Sequence, residues 1–120
     1  YTQALALNPQ DARALLSRAL LWDRRGDCRQ AIEDYTQVLP LNLTAEERLW
    51  VLNNRGYAYA QAGNLPAAIR DYTQVIERDP HHVQAYFNRA LARSASGDWE
   101  GACQDFQMGL KLQGYQGRIL

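Results

Sequence analysis

The chain has 120 residues, of which 13 are basic and 13 acidic, so its formal net charge is zero. This balance argues against a nucleic-acid binder and against a protein held on a membrane by basic residues. No apolar run approaches the ~18 residues of a transmembrane helix, and the first residues lack the pattern of a signal peptide. Because 47% of the residues are apolar, one modest domain with a continuous core is expected.

Hydrophobic periodicity predicts helices throughout the chain and no strand. In chain order the predicted helices cover residues 1–7, 11–25, 27–41, 45–62, 64–79, 82–96 and 98–112. Pro9 and Pro80 lie at equivalent joints, where proline is expected to stop the preceding helix. The sequence after residue 112 is not amphipathic, and no capping helix is predicted there.

A segment that reads DYTQV recurs along the chain. It occupies residues 34–38 and 71–75, and a related segment, DFQM, occupies residues 105–108. A fixed period of this size is typical of a solenoid. The aromatic residue of the segment recurs at intervals of 34, 37 and 34 residues, at Tyr1, Tyr35, Tyr72 and Phe106.

Small residues keep the same phase as the aromatic residues. A glycine falls between the two helices of each pair, where it supports a tight turn. An alanine follows five residues later and precedes the aromatic by four residues, so the alanine and the ring share one helical face. The small side chain lets the paired helix approach. The glycines are Gly26, Gly63 and Gly97, and the alanines are Ala31, Ala68 and Ala102.

The 37-residue interval places three extra residues within positions 41–48. Leu43 stands where the other joints have proline, and Thr44 with Glu47 forms a capping-box pattern. We interpret the insertion as a longer joint followed by a helix that starts about one turn early. A tolerated change of loop length is the favoured explanation. The alternative is a displaced helix that faces a ligand.

The pattern Leu52-x2-Arg55-Gly56-x2-Tyr59, followed by Gly63, Ala68-x3-Tyr72 and Pro80, resembles a tetratricopeptide repeat. Further copies cover about residues 12–45 and 83–116. The third copy departs from the pattern, with Arg93 at the position of Tyr59 and Gly114 at the position of proline. The resemblance covers nearly the whole chain, and three phased copies make it specific.

The resemblance implies an all-α fold, a right-handed α-solenoid of antiparallel helix pairs. Stacked pairs complete a core that no pair can bury alone. We expect a single domain, with the second helix of a partial repeat at 1–10, repeats at 11–43, 44–81 and 82–114, and a tail at 115–120. Since Tyr1 falls midway through a repeat and no cap is predicted, the chain is interpreted as a fragment of a longer array. Self-association through exposed repeat ends is the alternative.

In this family the first helix of each pair lines a concave groove that binds peptides or protein segments. The corresponding residues here combine rings and amides with few charges, which suits an extended peptide. Trp50 is the candidate anchor, whereas Trp22 and Trp99 are expected to pack internally. The alternative is a hydrated helix face without a specific ligand. The groove positions are Arg13, Leu16, Ser17, Leu20, Arg24, Trp50, Asn53, Asn54, Tyr57, Gln61, Gln84, Phe87, Asn88 and Leu91.

Some members of the family hold the C-terminal carboxylate of chaperones with lysines, asparagines and an arginine. Only Asn54 matches that clamp. Leu16 and Leu20 replace a lysine and an asparagine, and Gln84 and Asn88 replace a lysine and an arginine. Without cations the carboxylate has no charge partner, so we expect no chaperone-tail binding of this type.

An arginine on each first helix precedes an aspartate on the second helix by 16 residues. This regularity predicts an ion pair that joins the two helices within each repeat, bidentate where geometry allows. The alternative is an arginine ladder that grips an acidic partner. The predicted structural pairs are Arg18 with Asp34, Arg55 with Asp71, and Arg89 with Asp105.

The sequence contains no recognisable catalytic set and no phosphate-binding glycine motif, so neither an enzyme nor a cofactor is predicted. His81 and His82 lie at a helix joint without further ligands nearby, and a solvated joint is favoured over a metal site. Cys28 and Cys103 are too far apart for a disulfide across the stack, which favours the cytoplasm.

The favoured function is a scaffold that binds a peptide or protein segment, with no nucleic acid and no membrane as partner. A regulatory or targeting module of a larger multidomain enzyme is one alternative, and a self-associating repeat array is another.

Overall fold

In the computed structural model the described residues are 9–41 and 43–117, with side chains over 12–41 and 43–114. They form helices and no strand. The predicted helix over residues 1–7, with Tyr1, lies outside the described residues. The helices are α1 (Pro9–Arg25), α2 (Cys28–Val38), α3 (Ala45–Gln61), α4 (Leu65–Arg78), α5 (Val83–Ala95) and α6 (Trp99–Gly117).

The helices pair as α1 with α2, α3 with α4, and α5 with α6, and each pair packs on the next. The tight turn inside each pair has a glycine with a φ of 80–92°, in the left-handed region that favours glycine. The residue after each glycine accepts a hydrogen bond from an amide in the first turn of the next helix. The chain is therefore an all-α solenoid of helix pairs. The turns are Gly26–Asp27, Gly63–Asn64 and Gly97–Asp98.

The core runs without interruption from one repeat to the next. Tyr35 and Tyr72 are almost completely buried, and each packs beside the alanine four residues earlier in its helix. Val51 and Ala58 of α3 belong to the same cluster as Tyr35 of α2. Each second helix thus contributes apolar surface both to its own pair and to the following pair.

Two helix ends differ from the sequence-based expectation. Helix α2 ends at Val38 rather than near residue 41, because Pro40 lacks an N–H and its ring disfavours a helical residue before it. Helix α6 continues to Gly117 rather than ending near residue 112. No proline stands where Pro80 follows α4, so nothing blocks further turns. The prediction that residues 115–120 form a non-helical tail is thus wrong for residues 115–117.

The beginning of α1 also differs, because Pro9 lies in the first turn of the helix. Proline is tolerated there, since the first amides of a helix have no intrahelical partner.

The joint before α3 is longer than the joint before α5. Helix α3 begins ten residues before Arg55, whereas α5 begins six residues before Arg89, so α3 has about one extra turn. Thr44 and Glu47 form the capping box, with a 3.1 Å bond from the Glu47 amide to Thr44 Oγ1 and a 2.9 Å bond from the Thr44 amide to Glu47 Oε1. Arg48 donates to the Leu39 carbonyl at 2.8 Å and closes the joint.

None of the described helices combines the length and the apolar composition that crossing a membrane requires.

Candidate functional site

All three arginine–aspartate pairs are present. In each repeat the arginine Nε and Nη2 atoms donate to the two carboxylate oxygens of the aspartate at 2.7–2.8 Å, and the aspartate is buried. Arg55 shows the energetic consequence, because the hydrogen bond to Asp71 raises the pKa of its guanidinium group. These guanidinium groups join the two helices of a repeat, so they do not form a ladder open to an acidic partner.

The threonine of the DYTQV segment connects consecutive repeats. Arg55 Nη1 donates to Thr36 Oγ1, and Arg89 Nη1 donates to Thr73 Oγ1, both at 3.2 Å. One arginine therefore binds its own repeat through aspartate and the preceding repeat through threonine. This second contact explains why the threonine recurs beside the aspartate, and the sequence analysis missed it.

Arg93, the departure in the third repeat, is a second partner of a buried aspartate. Its Nη1 atom donates to Asp105 Oδ2 at 2.9 Å, and its Nε atom lies 3.9 Å from Asp98. The position that holds Tyr59 in the second repeat thus carries an additional ion pair.

The first helices α1, α3 and α5 stand side by side and present what we call the first-helix face. Between α3 and α5 this face contains a pocket of about 250 Å³. Tyr57 and Leu91, exposed by 50% and 60%, form part of its lining together with Gln61 and Asn88. The pocket therefore combines apolar contact area with amide groups.

A chain of side-chain amides crosses the first-helix face beside this pocket. Gln84 Nε2 donates to Asn88 Oδ1 at 3.1 Å, and Asn88 Nδ2 donates to Asn53 Oδ1 at 3.2 Å. Asn54 instead donates to the Trp50 carbonyl within its own helix. The amide chain links α5 to α3 and holds three of the predicted groove residues in one hydrogen-bonded row.

A second pocket, of about 390 Å³, lies between α1 and α3. It is lined by Leu16 of α1 and by Glu46, Glu47 and Trp50 of α3. Trp50 is 40% exposed, and its ring meets Tyr35 edge to face at 6.3 Å between centroids. The carboxylates in its lining were not among the predicted groove residues, because they belong to the extra turn of α3.

Two aromatic assignments need correction. Phe87 is half-buried, with its ring packed against Phe106 at 6.3 Å and beside Gly109 of α6, so it is not an open anchor. Trp99 was expected to pack internally, but 68% of it is exposed on α6. At the described end of the stack no further helix covers it. Trp22 does pack against the core of the first repeat.

The remaining predicted groove positions are not buried. Leu16, Leu20, Asn53, Asn54 and Asn88 are half-buried, and Arg13, Ser17, Arg24, Gln61 and Gln84 are exposed.

His82 caps a helix. Its Nδ1 atom accepts a hydrogen bond from the Ala85 amide at 3.1 Å, at the start of α5. The described residues contain no group of three or more His, Cys, Asp or Glu side chains that could hold a metal ion. Burial raises the pKa of the Cys28 thiol, which disfavours the reactive thiolate.

The sequence matches a family model described as "Tetratricopeptide repeat" over residues 1–45 and 53–116. Human "Tetratricopeptide repeat protein 36" is 38% identical over 72 residues, which cover 60% of this chain and 38% of that protein. The chain thus spans little more than a third of the length of this relative.

Solved structures with the same arrangement of helices include two chaperone complexes. The TPR2AB domain of yeast Sti1 in complex with pHSP90 matches 98% of this chain and 44% of that chain, with a TM-score of 0.82 and 25% identity. The second TPR of Spaghetti (RPAP3), bound to the HSP90 peptide SRMEEVD, matches 84% of this chain and 91% of that chain, with a TM-score of 0.75 and 29% identity.

Proposed function

Because this chain belongs to the tetratricopeptide repeat family, we propose that it is a protein–protein interaction module that binds an extended segment of another protein on its first-helix face. The observation that carries the proposal is the pair of pockets that this face contains, with a row of amides beside them. Pockets for alternate side chains and amides for the peptide backbone are the elements of extended-peptide recognition.

The chemistry of the face supports a peptide ligand. Exposed rings such as Tyr57 and Trp50 provide rigid apolar contact area at a small cost in conformational entropy. Within the described structure, Gln84 Oε1 and Asn53 Nδ2 lie at the ends of the amide row without a protein partner. These two atoms can accept from and donate to a peptide backbone.

A binding experiment tests this assignment. Tyr57→Ser/Leu91→Ser removes the apolar lining of the α3–α5 pocket, and Met108→Ser/Leu110→Ser on α6 is the matched control away from the face. The parent protein and the control are expected to retain peptides from a degenerate decapeptide library, and the first variant is expected to retain at least about tenfold less. Equal retention by all three proteins would rule out the first-helix face.

We propose further that the module does not use the cationic clamp for chaperone C-termini. Leu16, Leu20, Gln84 and Asn88 stand at the clamp positions, and none is cationic. Calorimetry with the peptide SRMEEVD, the ligand of the RPAP3 domain, is expected to show no micromolar binding. Micromolar affinity that Asn54→Ala abolishes would contradict this proposal.

Self-association is a second candidate function, supported by an exposed face on α6. Leu65 and Ile69 of α4 pack against a cluster that includes Ala92 of α5. The residues 34 positions later on α6 are Trp99 and Cys103, and both are exposed. An interface that is covered between repeats is thus open here.

Sedimentation at several concentrations, with reductant present, tests whether a second copy covers the α6 face. Under this candidate, association weakens in Trp99→Glu/Leu110→Glu and persists in Glu33→Gln/Glu77→Gln, which changes exposed residues of α2 and α4. A monomer at all concentrations would exclude self-association.

A further inference from the structure

The pocket between α1 and α3 combines apolar and acidic groups. Leu16 and Trp50 supply aliphatic and aromatic surface, and Glu46 and Glu47 supply two carboxylates. From this lining we infer that the pocket takes a lysine or arginine side chain of the bound segment. The inference rests on the proposed function and adds the chemistry of one subsite to it.

The carboxylates of this pocket are available to a ligand. Within the described part of the chain, neither Glu46 nor Glu47 forms an ion pair. Glu47 Oε1 accepts from the Thr44 amide, but a carboxylate has about four acceptor sites. Arg48, the adjacent basic residue, donates instead to the Leu39 carbonyl. The positive end of the α3 dipole offsets only about half a charge.

A basic side chain with an aliphatic stem fits this lining better than an apolar side chain does. An apolar occupant would cover the carboxylates without giving them a hydrogen-bond donor, which costs free energy. The stem of a lysine or arginine packs on Leu16 and Trp50, and its charged end reaches the carboxylates. The exposed ring of Trp50 also attracts a cation above its face.

The acidic character belongs to this joint alone among the described joints between repeats. The residues 34 positions later, at the joint before α5, are Pro80, His81 and Gln84. None of them is acidic. The extra turn of α3 therefore creates a subsite that the regular repeat does not contain, which gives the lengthened joint a role in ligand selection.

A degenerate decapeptide library with one fixed position, scanned over the amino acids, tests the inference. The parent protein is expected to retain pools with fixed lysine or arginine about tenfold better than pools with fixed norleucine, which has a similar aliphatic stem without the charge. The preference is also expected to fall as the salt concentration rises, because the pair is partly exposed.

The decisive variant is Glu46→Gln/Glu47→Gln, which keeps the shape of the pocket. Glutamine at position 47 also preserves the capping box. We expect this variant to retain lysine and norleucine pools equally. Glu33→Gln/Glu77→Gln has the same change in net charge outside the pocket and is expected to keep the preference for basic residues.

The outcomes separate the inference from the proposed function. Retention of peptides without a basic preference, or a preference for apolar or acidic residues, would overturn the inference and leave the proposed function standing. A basic preference that survives Glu46→Gln/Glu47→Gln would also overturn it, because another site would be responsible. Retention of no peptide by the parent protein would overturn both.

Discussion

At the scale of single residues, Gly56 shows how closely the helices of a pair approach. A Cβ atom at this position would lie 2.7 Å from Cε1 of the buried Tyr72 ring. We expect Gly56→Ala to destabilise the fold, since overpacking costs about 1–3 kcal/mol and outweighs the gain of about 1 kcal/mol in helix propensity. Urea unfolding measures the difference.

Gly114→Ala is the control for this substitution. Gly114 is also helical, but a Cβ atom there would meet nothing within 4 Å. The propensity gain remains without a clash, so we expect equal or higher stability. If both alanine variants were equally stable, the close approach at Gly56 would have no energetic effect.

The buried aspartates differ in how many arginines they contact. Asp71 has one arginine partner among the described residues, whereas Asp105 has Arg89 and Arg93. We expect Arg55→Gln to cost about 3–5 kcal/mol, because it leaves a buried carboxylate without its cation. Arg89→Gln is expected to cost at least about 1 kcal/mol less, since Arg93 remains.

Urea unfolding of Arg89→Gln/Arg93→Gln completes this comparison. The double variant should lose as much stability as Arg55→Gln, and equal losses in the two single variants would show that Arg93 does not compensate.

The arginine–aspartate pairs were predictable from sequence because their spacing is constant in all three repeats. The role of Arg93 was not, since a single departure from a pattern does not reveal what the new side chain contacts. Trp99 was misjudged for a related reason. Its phase indicates a packing position, but whether a neighbour covers that position depends on the stack rather than on the repeat.

At the scale of helices, the capping box at the start of α3 supports the turn that carries Glu46 and Glu47. Thr44→Ala removes the acceptor of the Glu47 amide and is expected to cost about 1 kcal/mol. Amide exchange in the first turn of α3 should accelerate more than exchange elsewhere in the helix. Unchanged exchange in that turn would show that the cap does not hold it.

The joint before α3 illustrates what a sequence pattern can and cannot provide. The residues of the capping box predicted where α3 begins, because a cap is a local interaction. The pocket formed by the extra turn was not predictable, since it needs Leu16 of α1, which lies 30 residues before Glu46. Likewise the end of α6 depends on the absence of a stop signal, and periodicity alone places such an end poorly.

At the scale of the whole molecule, helices pack mainly on their neighbours in chain order, and the extents are 48 × 29 × 22 Å. Two buried tyrosines therefore hold consecutive repeats. Burial raises the pKa of Tyr35 and of Tyr72 above the usual value near 10. Tyr35 also donates to Asp23 Oδ2 at 2.8 Å, which favours its protonated form.

These shifts predict a loss of stability in alkaline solution. The folded state holds the two protons more tightly than the unfolded state, so the stabilisation is complete below pH ~10. It is lost as the pH rises from there through the folded-state pKa values, by up to about 1.4 kcal/mol per pH unit for each tyrosine. Urea unfolding between pH 8 and pH 11 measures the slope.

Tyr35→Phe is expected to reduce this alkaline slope, at the cost of the bond to Asp23 at neutral pH. A slope identical to that of the parent protein would show that Tyr35 does not contribute to it.

The longer joint before α3 makes the first-helix face unequal at its two ends. The carboxylates of Glu46 and Glu47 lie on its α1–α3 side, and the amides of Gln84 and Asn88 lie on its α5 side. A strand laid across the face would therefore meet different chemistry when its N-to-C direction is reversed. A ring of similar repeats would read both directions alike, whereas this one has a built-in polarity.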